Sequence, residues 1–350
     1  MKSYFYKNKP IVGLEINPAA LKIMAVNAKK WTVNGYGSLD VDPEKMRASL
    51  DSDGAYLGEQ IRKLVTKKVV GNIDSNRVVM SIPASRSFSR SATLAKDLKG
   101  SIREAIIQEA DQYIPVPVDQ LNIDYEVIGK DESGTQVHIS AAPSKLVEIC
   151  IKAAESAGLQ ILVVETSMSA VARILRESEQ GELPTIIVDI GTTYTDVAVL
   201  DGIIKVTDST AIGGETFTAS IAQQLNVKSE KAHQLKVLAG LSPGKQREKI
   251  HTAVSPHLDQ ITAEVKKITR YYTERVPNAK KIEQVIIIGG GSSLPGIGEY
   301  FTEKLELASR VASPWQKLNF AKLPQPARQF KPRYITVAGL ALVNPQEILR

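Results

Sequence analysis

Two stretches of this chain, far apart in sequence, follow one plan. "IVGLEINPAALKIMAV" (11–26) and "IIVDIGTTYTDVAVL" (186–200) each run as an apolar strand, an acid, a short polar turn and a second apolar strand. Residues Glu15 to Lys22 align with Asp189 to Asp196. Short continuous apolar runs such as Ile186-Ile187-Val188 are what strands buried on both faces look like. Gly191 permits a tight turn, and Thr192, Thr193 and Thr195 bring hydroxyls and backbone N–H groups suited to phosphate. An acid beside such a turn would repel an anion unless a cation lay between them. Mg²⁺, held by one carboxylate, waters and phosphate oxygens, meets that need. Taken singly, either copy also reads as an ordinary hairpin with a polar tip. The repetition implies two similar lobes that clasp one phosphate chain.

A third element, "QVIIIGGGSSLPGIGEYF", puts a strand (Val285 to Ile288) before Gly289, Gly290 and Gly291, with Ser292 or Ser293 as a cap and Pro295 opening a helix. It matches neither G-x-G-x-x-G nor the P-loop.

With 350 residues, 43% of them hydrophobic, the chain can build one large domain or two ordinary ones. Cys150 is the only cysteine, which excludes a disulfide framework or a cysteine zinc site within one chain. The net charge of +6 includes Lys2, Lys7 and Lys9 at the start and six basic residues against one acid over 311–350. Such charge is solvated surface or an attraction to anionic membrane or nucleic acid. No aromatic RNA-binding consensus or DNA-reading helix pair is present, so nucleic acid is not expected. No apolar run approaches the roughly 18 residues of a membrane span, and the start lacks a signal-peptide core. The expectation is a cytoplasmic protein, peripheral to the membrane.

Further segments narrow the choice. "AIGGETFTASIAQQL" places Gly213, Gly214 and Phe217 after the second hairpin, "VVETSMSAVARIL" places Glu165 where a strand meets a helix, and "YITVAGLALV" lies near the C-terminus. "SIREAIIQEADQYIPVPVDQLNIDYEVIG" has Ile102, Ile106, Glu109, Ala110 and Tyr113 on a helix that Pro115 and Pro117 stop, then an alternating strand. Together with "SIPASRSFSRSATL", this order of motifs resembles the actin-like ATPase superfamily. Within it the chain closely resembles PilM, the cytoplasmic assembly proteins of type IV pili, with FtsA as a more distant cousin.

The resemblance implies an α/β, actin-like ATPase fold: two lobes of mixed sheet and helices around a nucleotide cleft, with an inserted subdomain of the FtsA and PilM type. Residues 1–83, 161–182 and 327–350 would form the first lobe, 84–160 the inserted subdomain, and 183–326 the second lobe with a small outer part near 226–283. It further implies ATP and Mg²⁺ as ligands. Asp189 and, through water, Glu15 would serve the metal; Asn17, Gly191, Thr192, Thr193 and Thr195 would serve the phosphates. Gly213 and Gly214 would lie beside the ribose, Lys236 near adenine, and Gly289, Gly290, Gly291 and Ser292 along the adenosine. Glu165 is the candidate for orienting the attacking water.

The first hairpin departs from the family's Asp-Ile-Gly followed by small hydroxyl residues. Pro18 has no N–H, and Ala19 and Ala20 have no hydroxyls. Each lost hydrogen bond to a charged group is worth roughly 1 kcal/mol or more, so slow hydrolysis or none is expected. His233 also stands where the family carries a glutamate. The implied partner is the cytoplasmic N-terminal tail of a PilN-like inner-membrane protein, with room for a homo-oligomer. The alternative is an FtsA-like, filament-forming membrane tether, against which "NPQEILR" is short and polar for an amphipathic helix. A sugar kinase of the same superfamily would need a second substrate site, and no such motif appears.

Overall fold

The computed structural model describes residues 11–97, 100–132, 134–178 and 183–344; Lys2, Lys7, Lys9 and most of "NPQEILR" lie outside them. The chain forms two compact units, residues 1–180 with 314–325 and 336–350, and residues 181–313 with 326–335.

The first unit holds β1 (Val12–Asn17), β2 (Ala20–Asn27), β3 (Thr32–Asp40), α1 (Pro43–Asp51), α2 (Ala55–Lys67), β4 (Val69–Gly71) and β5 (Arg77–Ile82). It continues through β6 (Phe88–Leu94), α3 (Ile102–Asp111), β7 (Leu121–Asp131), β8 (Gly134–Pro143), α4 (Ser144–Ser156), β9 (Gln160–Thr166) and α5 (Ser167–Ser178). Its main sheet has the order β4-β3-β2-β1-β5-β9. β1 to β3 form an antiparallel meander, and β5 and β9 add parallel to β1 and β5. Local chemistry sets the helix starts. Asp42 caps α1 by accepting from the Glu44 and Lys45 N–H groups, with Pro43 in the first turn. Ser101 and Glu104 form a capping box on α3.

Residues 84–160 divide in two. β6, β8 and β7 pair in that order beneath α3, and α3 is fastened to β6 through Arg90, whose guanidinium lies 3.8 Å from Glu109 and 4.5 Å from the Tyr113 ring centre. α4 belongs to the core of the main sheet instead, where Leu146, Cys150 and Ala153 pack with Leu57 and Ile61 of α2.

The second unit holds β10 (Thr185–Ile190), β11 (Thr195–Asp201), β12 (Ile203–Thr210), α6 (Gly214–Leu225), α7 (Ser229–Leu238), α8 (Arg247–Arg275), β13 (Gln284–Ile288), α9 (Ile297–Leu305) and β14 (Ala308–Val311). Its strands run β14-β13-β10-β11-β12. Here too an antiparallel meander, β10 to β12, is extended by two parallel strands, β13 and β14. The two hairpins seen in the sequence therefore open two sheets of one topology. α10 (Ile335–Ala341) then returns to the first unit. A Cβ on Gly339 would meet the Ala170 carbonyl oxygen at 2.0 Å, so only glycine lets α10 lie this close to α5.

Candidate functional site

In the second unit the turn between β10 and β11 is closed by the Gly191 N–H, which donates to the Tyr194 carbonyl at 2.9 Å. The N-terminus of α6 is pinned onto this turn. Gly214 N–H donates to Gly191 O and Glu215 N–H to Thr192 O, each at 2.9 Å. Gly213 makes that approach possible, since a Cβ there would sit 2.4 Å from Thr192 O. From the Cβ direction of Gly214, Lys236 Nζ lies at 3.3 Å, Gly191 O at 3.6 Å and Gly291 Cα at 3.7 Å. The structure thus brings Gly191, Gly213, Gly214, Lys236 and Gly291 together around one helix N-terminus.

Other members of the expected set serve the scaffold. Thr195 is fully buried and its hydroxyl donates to Ile212 O at 2.7 Å. Ser292 is buried and its hydroxyl donates to Gly289 O at 2.7 Å. Thr192 and Thr193 stay half-exposed at the turn. Gly289 has φ +83°, and a Cβ there would lie 2.2 Å from Asp189 Oδ1, so the glycine run presses on the acid. Gly290 differs: a Cβ there would meet nothing within 4 Å.

Asp189 stands directly opposite Asp196 across the hairpin. Burial pushes Asp196 up to about 6, against the pull of the Ser209 hydroxyl. Like charges opposite one another repel, and two facing carboxylates are a donor set that suits a hard divalent cation. Asp196 does not stand out in the sequence. Its one signal there is its alignment with Lys22, a residue of opposite charge.

Lys236 is buried; its ammonium donates to Gly214 O at 2.7 Å and Thr218 Oγ1 at 2.9 Å. Burial lowers it from 10.5 to about 8, partly countered by the Glu215 charge. Burial, then the Lys236 charge, lowers His233 one turn away. A lysine depressed in the folded state is penalised below its folded pKa and relieved as pH climbs towards its unfolded value. Stability is therefore expected to rise by about 3 kcal/mol across that window, from about 8 to about 10.5. Lys236→Met should flatten this rise in denaturant titrations run at several pH values; an unchanged slope would remove Lys236 as its source.

In the first unit the corresponding acid is already answered. Glu15 and Lys22 face each other across β1 and β2, both buried, and Lys22 Nζ donates to Glu15 Oε1. The other carboxylate oxygen, Glu15 Oε2, is buried without a hydrogen-bond partner. Asn17 Oδ1 accepts from the Ala19 N–H at 3.2 Å and so bridges Pro18. Glu165 is held in a two-pronged ion pair by Arg173, at 2.8 and 2.7 Å, and Arg173 also donates to Gly339 O at 2.9 Å. Both Glu165 oxygens are thus engaged. Neither Lys22 nor Arg173 is marked by a motif; for Arg173 the available signal is an arginine two turns into the helix after the acid.

Comparison with known proteins gives a family and a fold. The family described as type IV pilus assembly protein PilM matches residues 13–344. The solved structure of a PilM-PilN type IV pilus biogenesis complex superposes with a TM-score of 0.77 at 23% identity, covering 95% of this chain and 98% of that one. MreB5 of Spiroplasma citri bound to AMPPNP superposes with a TM-score of 0.55 at 13% identity, covering 95% of each chain. Cell division protein FtsA of Borreliella burgdorferi is 21% identical over 266 residues, covering 70% of this chain. The chain spans only 61% of that relative's length. With motif order, duplicated sheet topology and family match in accord, this chain has the actin-like ATPase fold and belongs to the family of the type IV pilus assembly protein PilM.

Proposed function

We propose that this chain is a nucleotide-binding scaffold of type IV pilus or related assembly. It holds ATP with Mg²⁺ and hydrolyses it slowly or not at all. The observation that carries this is the contrast between the hairpins. The second presents an open position at Gly290, a lysine and two facing carboxylates, whereas the first has paired its own acid with Lys22 and lacks the N–H of Pro18. Asp189 and Asp196 would hold the metal; Thr192, Thr193 and the α6 N-terminus would hold phosphate; Lys236 and the Gly290 turn would border the rest of the nucleotide. The metal would neutralise phosphate charge. Accurate phosphate placement governs phosphoryl transfer, and Glu165, the acid that would orient the attacking water, is already held by Arg173. Phosphate release should stay far below the enzyme median of about 10 per second, and turnover near that value would overturn the reading.

The partner in this proposal is the short cytoplasmic tail of a PilN-like membrane protein. Support comes from family membership and from the fold shared with the PilM-PilN complex. No helix among the described residues is long and apolar enough to cross a membrane, which suits a protein brought to the inner face by its partner. The inserted subdomain around 84–160 would take part in holding the tail. Calorimetry of the full chain with a peptide copied from its PilN-like neighbour should show saturable binding with modest salt dependence. Absence of heat, together with ATP-dependent sedimentation as filaments, would favour an FtsA-like tether.

A further inference from the structure

The three strands β6, β8 and β7 end on β7, which pairs only with β8 among the described residues. Proteins usually blunt such an edge with lysine, proline or a bulge. Lys130 and a register shift between Val127 and Gly129 blunt the far end of β7, but Asn122 to Val127 contains no lysine, proline or bulge, so the open edge is confined to this stretch. α3 packs over β6, burying Ile106 with Leu94, Val137 and Ile139. The apolar face of β7 is left half covered: Leu121 is buried and Ile123 half-buried, but Tyr125 is 36% and Val127 43% exposed. A pocket of about 190 Å³ lies along this face, walled by Ile106 and Ile107 of α3 and by Leu121, Ile123 and Tyr125 of β7. Arg103 and Asp119 also line it and offset each other in charge.

The other face of β7 is acidic. Asp124 and Glu126 are exposed two residues apart, opposite Ser140 and His138, and β8 carries no lysine or arginine. Asp124 Oδ1 accepts from the Tyr125 N–H at 2.9 Å, so this backbone donor is engaged by the carboxylate, which an added strand would displace there.

We infer that the free edge of β7 receives an extended segment of a partner protein in which apolar and basic residues alternate. An added strand would hydrogen-bond to the open edge, and its alternate side chains would point to opposite faces. One set enters the pocket beside Tyr125 and Ile107; the other lies beside Asp124 and Glu126. A second copy of β7 fits poorly. Antiparallel self-pairing about Tyr125 sets Asp124 against Glu126, and like charges placed opposite are destabilising. The site goes beyond the nucleotide and tail readings and requires neither ligand.

The test uses the full chain and dye-labelled, end-blocked heptapeptides: alternating lysine and valine, the same with glutamate for lysine, and a block-ordered peptide of the first composition. Fluorescence anisotropy should show the lysine-valine peptide binding at least about tenfold more tightly than either control. Hydrogen exchange should show protection that centres on residues 121–127. The double variant Asp124→Lys/Glu126→Lys changes only exposed side chains, and should reverse the preference towards the glutamate-valine peptide. Equal binding of the three peptides, no binding at all, protection elsewhere, or peptide-free protection that tracks dimer formation would each overturn the proposal.

Discussion

Lys22→Ala is expected to destabilise the chain by about 3–5 kcal/mol, because it strands the Glu15 carboxylate in the sheet interior. Glu15 already has one buried oxygen without a partner, so losing Lys22 leaves neither oxygen answered. Desolvating two charges costs about what their attraction returns, so removing both together costs far less than removing one. Glu15→Gln/Lys22→Met should therefore unfold within about 1–2 kcal/mol of wild type in denaturant titrations. If Lys22→Ala matched wild type, the acid would have another source of compensation and the closed reading of the first hairpin would fail. If the double variant were as unstable as Lys22→Ala, the loss would come from packing of the lysine stem and not from the carboxylate.

Gly290→Val should fold like wild type and weaken nucleotide binding by about a hundredfold, or about 2.7 kcal/mol. The glycines of this turn are not equivalent. A side chain on Gly289 would strike Asp189, and one on Gly291 would strike Ile190 at 2.2 Å, so both report on the fold. Gly290 is exposed and its Cβ direction is open. Valine there has room in the protein and can only obstruct something outside it. Binding of a fluorescent ATP analogue, with and without magnesium, measures the effect, and an unchanged melting temperature shows that the fold is intact. Full-strength binding by Gly290→Val would remove this turn from the nucleotide site.

Much of the architecture is legible in the sequence because its signals are periodic or repeated. The twin hairpins announce two sheets of one kind, and the spacing of Ile102, Ile106 and Ala110 announces α3. The site is legible only in part. A threonine or serine in a turn is equally suited to face a ligand or to brace the turn, and sequence does not say which way its hydroxyl points. Thr195 and Ser292 turn their hydroxyls onto backbone carbonyls, and the Asn17 amide oxygen accepts from the Ala19 N–H of its own turn. Charge partners are also hidden. The register of β1 on β2 makes Glu15 face Lys22, but only packing shows that both are buried. Arg173 reaches Glu165 because α5 folds back on β9, and the Gly339 carbonyl it also holds is 166 residues away. The placement of α4 in the main core is concealed by its position at the end of a segment that otherwise reads as an insertion.

The tight seat of α10 has a consequence for the order in which this molecule can be made. Gly13 of β1 lies so close to the Val337 carbonyl that a Cβ would be 2.5 Å from it, and Gly339 is pressed equally hard onto Ala170. The first unit therefore joins segments separated by more than 300 residues, whereas nearly all of the second comes from the single run 181–313. Contacts of such long range are slow to form, and domains acquire structure as units while the ribosome delivers them. The N-terminal sheet must wait, with the groove for α10 uncovered, until the second unit has been synthesised and residues 336–341 have emerged. A ribosome stalled before that point would expose an apolar seat lined by Ile11, Val79 and Ala170, a natural target for chaperones that recognise unfinished chains.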